Sequence, residues 1–85
     1  MNYAQEIQKF MSNNNINIAA FVRKLKEDNP ENLFAQKLTQ QKLYLSFQNK
    51  RPLKLEEFIL IVIQLKKQFP EISADQFLNV RNLFN

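Results

Sequence analysis

Apolar residues recur at helical spacing along almost the whole chain. From Tyr3 to Asn13 they fall at Tyr3, Ile7, Phe10 and Met11, one face of a single helix. Asn13-Asn14-Asn15 ends that segment, because Asn is a poor helix former and tolerates left-handed backbone. Asn17 is placed to cap a second helix, Ile18 to Lys26, with Ile18, Phe21, Val22 and Leu25 inward. Asp28-Asn29-Pro30 then breaks the chain, since the residue before a proline avoids the α region. A third helix is expected from Pro30 to Leu38, capped by Asn29, with Leu33, Phe34, the stem of Lys37 and Leu38 inward. Thr39, a short break and a candidate cap, separates it from a fourth, Gln40 to Lys50, which buries Leu43 and Phe47 and stops at Lys50-Arg51-Pro52. The fifth runs from Lys54 to Phe69 and opens on Glu56 and Glu57, favourable charges at a helix N-terminus. Its centre, Phe58 to Ile63, is apolar on every side, so this helix is expected to be surrounded by the others. Pro70 ends it, and Ser73 with Gln76 three residues later is a capping box that starts a last helix, 74–84.

The expectation is therefore an all-α fold, a compact bundle of five to six short helices in one domain over residues 1–85. Composition narrows its chemistry. There is no Cys, hence no disulfide framework and no thiolate metal site. There is no His, which removes the commonest general base and metal ligand. There is no Gly, which argues against β-hairpins, phosphate-cradling loops and EF-hand loops. Ser12, Ser46, Ser73 and Thr39 have no imidazole to activate them, and Glu56-Glu57 diverge on a helix, so no enzyme, cofactor or metal site is expected. The N-terminal residues lack the plan of a signal peptide, and the apolar run Phe58–Ile63 is too short to span a bilayer. A soluble cytoplasmic protein without a membrane partner is the reading.

Charge is unevenly placed. The chain holds twelve basic and eight acidic residues, a formal charge of +4. Between Leu33 and Leu55 stand Lys37, Lys42, Lys50, Arg51 and Lys54 with no acidic residue, so the rest holds seven basic against eight acidic. Gln, Asn, hydroxyls and Tyr44 are interleaved with these cations. Cations neutralise phosphates and Gln or Asn can bond adenine, so the stretch suits nucleic acid; a solvated basic face is the plainer alternative.

Two helices joined by a short turn, the second polar outside and flanked by cations, follow the plan of a helix-turn-helix. Phe34-Ala35-Gln36-Lys37-Leu38 fits the apolar-Ala-x-x-Leu of a first motif helix, and Gln40-Gln41-Lys42 opens the second. Here the chain resembles the phage-repressor/Cro-type (XRE-like) helix-turn-helix family, lambda-repressor-like in fold, over about residues 29–80. Ser46, Lys50-Arg51-Pro52, Leu55-Glu56-Glu57-Phe58 and Glu71-Ile72-Ser73 through Phe77-Leu78 extend the likeness. Thr39 stands where the family's turn has Gly, the segment after Ser46 is about two residues short, and an extra helix precedes the motif. A competing register uses 18–26 and 30–38 as the motif, but brings Glu27, Asp28 and Glu31 toward phosphate.

The resemblance implies a transcriptional regulator, a repressor in the simplest case, reading double-stranded DNA with a helix-turn-helix at about 30–50. Base-edge contacts are assigned to Gln40, Gln41, Lys42, Tyr44 and Gln48. Phosphate contacts are assigned to Lys37, Ser46, Asn49, Lys50, Arg51 and Lys54. Palindromic sites call for a homodimer, for which Phe77, Val80, Leu83 and Phe84 are the candidate surface. The alternative function is a small helical module that binds another protein, as a phage or mobile-element inhibitor of a host protein would.

Overall fold

Six α-helices and no strand are found among residues 3–78, the part of the chain that the computed structural model describes. They are α1 (Tyr3–Asn13), α2 (Ile18–Asp28), α3 (Leu33–Lys37), α4 (Gln40–Phe47), α5 (Leu55–Gln68) and α6 (Ala74–Leu78). The chain is an all-α bundle, as the apolar spacing predicts. The part of the expected helix 74–84 beyond Leu78 lies outside the described residues.

Two helix ends rest on left-handed Asn. Asn15 has φ 56° and Asn49 φ 62°. After α1, Ile16 N–H donates to Met11 O and Asn15 N–H to Ser12 O; after α4, Lys50 N–H donates to Leu45 O and Asn49 N–H to Ser46 O. This paired pattern is the Schellman stop, and Asn takes the left-handed place that Gly usually fills. Helix α4 therefore ends at Phe47, not at Lys50, and Pro52 is not what stops it.

The third helix also differs from expectation. Asn29 closes α2, its side chain donating to Leu25 O and its N–H to Lys26 O. Pro30 and Glu31 form a turn, and Asn32 caps α3 by accepting from Ala35 N–H. Starting α3 at Leu33 leaves it five residues, of which Ala35 is buried, followed by buried Leu38. Leu33 and Phe34, expected inward, are exposed in its first turn. Side chains brace α2 and α3 reciprocally. Gln36 donates to Lys26 O and Asn29 O at the end of α2, while Lys26 Nζ donates to Leu38 O at the end of α3. Carbonyls that a helix end leaves unpaired are thereby satisfied.

The core gathers around Phe58 of α5, whose ring lies edge-on to Tyr3 of α1 (4.7 Å) and to Phe77 of α6 (6.5 Å). Phe10 packs edge-on against Phe69 (5.2 Å) and Phe77 (5.5 Å), tying α1 to the end of α5. Helix α5 packs against α2 and α3 and buries Leu60, Ile61, Val62 and Leu65. It is not surrounded, however: Leu55, Ile59 and Ile63 are exposed. No helix among the described residues is long and apolar enough to cross a membrane.

Candidate nucleic-acid interface

Helix α4 starts cleanly because Thr39, with extended backbone, accepts from Lys42 N–H through its hydroxyl. Leu43, Ser46 and Phe47 turn inward. Gln40, Gln41, Tyr44 and Gln48 are exposed, and their spacing sets them along one outer face. Tyr44 keeps its ring edge-on to Phe47 at 6.4 Å, which limits its swing. Lys42 is half-buried and its ammonium donates to Lys37 O at the end of α3 (3.0 Å), so it braces the α3–α4 turn.

The cations divide into two groups. Lys37, Lys50 and Lys54 are exposed, as is Asn49. Lys54 Nζ also lies 5.9 Å from the Phe34 ring centroid, a cation–π contact. Arg51 is different: its side chain is 21% exposed, and its guanidinium donates to Ser46 Oγ (2.9 Å) and Glu57 Oε2 (2.7 Å). Glu57 is buried and its other oxygen accepts from Lys54 N–H, capping α5. Ser46 is fully buried. The Ser46 assignment to phosphate is corrected accordingly, because the hydroxyl is out of reach of an external ligand; the Arg51 guanidinium is held by a buried carboxylate that it neutralises. The signal for this network was Glu57 three residues beyond Lys54, where a carboxylate can reach back to a helix cap.

The other candidate surface fares differently. Phe77 is buried against Phe10 and Phe58, so it forms core and not a partner surface. Val80, Leu83 and Phe84 lie outside the described residues.

Away from α4, a cleft of about 650 Å³ opens between the α1–α2 turn, α2 and the end of α5. On its wall Asp28 accepts from Gln64 Nε2 (2.9 Å) and Lys67 Nζ (3.0 Å), with Lys24 at 3.4 Å. The hydrogen bonds from Gln64 and Lys67 hold the Asp28 carboxyl down at about 2. Tyr3 is shifted the other way: burial, then the charges of Glu57 and Glu56, push its hydroxyl up, and it donates to Leu53 O. No group of His, Cys, Asp and Glu able to hold a metal ion is found among the described residues.

No family model, no curated protein and no solved structure matches this chain.

Proposed function

We propose that the chain is a DNA-binding transcriptional regulator that lays the outer face of α4 in the major groove of double-stranded DNA, with α3, Leu38-Thr39 and α4 acting as a short helix-turn-helix. The observation that carries this reading is the exposed row Gln40, Gln41, Tyr44 and Gln48, flanked by exposed Lys37 and Lys50, in a stretch without an acidic residue. Amides along one helix face suit base edges, and cations at both ends suit the phosphates on either side of a groove. In this reading Gln40, Gln41, Tyr44 and Gln48 meet bases, while Lys37, Asn49, Lys50 and Lys54 meet phosphates. Lys42 contributes by fixing the turn. Arg51 and Ser46 set the exit of α4 and touch no DNA.

The test is fluorescence anisotropy of mixed-sequence duplex across a salt series. Binding that weakens steeply with salt is expected, and Lys37→Ala/Lys50→Ala lowers the logarithmic salt slope by about 2. No binding at ~50 mM salt would overturn the proposal. Arg51→Ala is the wrong variant for this purpose, because it strips the buried Glu57 carboxylate of its partner.

A second reading, a helical module that binds protein, is favoured by a separate observation. Leu33, Phe34, Leu55, Ile59 and Ile63 are all exposed, more large apolar side chains than isolated surface residues account for.

A further inference from the structure

Leu55, Ile59 and Ile63 are 59%, 47% and 53% exposed. They stand at i, i+4 and i+8, a straight stripe along α5. Phe34 borders the start of this stripe, because its ring lies beside Lys54 and α3 packs on α5. The same exposed arc carries Glu56 on the first turn of α5 and Lys66 on the last. Helix α5 thus shows solvent an apolar centre with an acidic end and a basic end.

We propose that the stripe is the contact between two copies of this chain, their α5 helices crossing antiparallel about a twofold axis at the level of residue 61. A twofold contact needs a surface complementary to itself. An antiparallel pairing at that level sets Ile59 of one copy against Ile63 of the other, twice over, so four isoleucines form the centre. It sets Glu56 of one copy across from Lys66 of the other, giving an ion pair at each end. Leu55 then lies along the aliphatic stem of the second copy's Lys67, whose ammonium remains on Asp28. A parallel pairing would bring Glu56 to Glu56 and Lys66 to Lys66, so charge selects the antiparallel arrangement. Rows of residues four apart pack into each other at a crossing of about −50°, which these long end side chains can bridge.

This contact stands apart from the DNA reading, and its test contains no DNA. Sedimentation equilibrium of the full chain across ~10 to ~500 μM is expected to show mass rising from 10.2 kDa toward twice that value. Ile59→Glu, at an exposed position, is expected to keep its helical circular dichroism and weaken association by about tenfold or more. Should Ile59→Glu lose helix, the smaller change Ile59→Ala serves, with a several-fold loss expected. Glu56→Lys is expected to weaken association several-fold, and adding Lys66→Glu to restore it, because the ion pairs re-form with their signs exchanged. A chain that stays at 10.2 kDa across the range overturns the proposal. So does a dimer indifferent to folded Ile59→Glu, which would place the contact elsewhere. Loss in Glu56→Lys without recovery in the double variant overturns the antiparallel register.

Discussion

Asn15 and Asn49 carry the left-handed backbone that closes α1 and α4 in a chain with no Gly. A side chain with a Cβ is strained there unless its short polar group bonds locally, which is why Asn is tolerated and larger residues are not. Asn15→Gly is therefore expected to leave stability unchanged or raised, and Asn15→Val to lower it by about 1–2 kcal/mol, read from urea unfolding. The Ser46–Arg51–Glu57 network follows a different logic. Removing one partner leaves the other desolvated and unpaired, so Arg51→Ala is expected to cost about 2–4 kcal/mol in the same measurement. Arg51→Lys is expected to recover only part of that, because an ammonium cannot reproduce a planar fork held by two oxygens. Asp28 adds a pH dependence. Its folded pKa of about 2 lies below the ordinary 3.8, so its contribution is full above about pH 4 and is lost as pH falls through about 2. In Asp28→Asn that part of the acid destabilisation is expected to vanish, which circular dichroism between pH 5 and pH 2 reads directly.

Helix α4 depends on its first turn more than its length suggests. With eight residues it is too short to persist without its cap and its packing. Thr39→Ala removes the hydroxyl that accepts from Lys42 N–H and is expected to cost about 1 kcal/mol, with amide exchange quickening first in Gln40 to Lys42. If α4 reads bases, Gln41→Ala lowers the preference for a selected site by about 1–3 kcal/mol while leaving the salt slope unchanged. That pattern separates base recognition from plain charge attraction. Helix α5 has two unlike sides. Phe58 and its neighbours build the core, while Leu55, Ile59 and Ile63 face outward. Phe58→Ala is expected to cost about 3–5 kcal/mol, a large share of what a domain of this size has.

Taken whole, the fold keeps the amide row and the apolar stripe on separate helices. The amide row belongs to α4, flanked by Lys37 at the end of α3 and Lys50 after α4, and the apolar stripe belongs to α5 with Phe34 of α3 beside it. One surface can be altered while the other is kept. Ile59→Glu is expected to leave weak, salt-sensitive DNA binding per chain in place while removing cooperative binding to a palindrome. Lys37→Ala/Lys50→Ala is expected to do the reverse, weakening DNA binding without moving the sedimentation mass. Should the dimer and the DNA contact both hold, the preferred site is a palindrome whose half-site spacing reports the separation of the two α4 helices.

Helical spacing alone was enough for the all-α class, the extent of α1, the start of α4 and the inward residues of α2, because an amphipathic period states which face leaves water. Thr39 and Asn17 were legible as caps for the same local reason: each needs only its own backbone and an N–H three residues on. The start of α3 was decided in the folded chain, since Asn29 and Asn32 are both fit to cap; Asn29 is taken up in closing α2, where Gln36 also braces it, and Asn32 caps α3. The fate of the cations was decided there too. A run of Lys and Arg in sequence says nothing about which one meets a carboxylate, and Arg51 turns inward because folding brings Glu57 and Ser46 within reach. An all-apolar helix likewise looks fully buried when read as sequence. How many neighbours a bundle of this size can set around it is a property of the packing, and here the packing leaves Leu55, Ile59 and Ile63 in water.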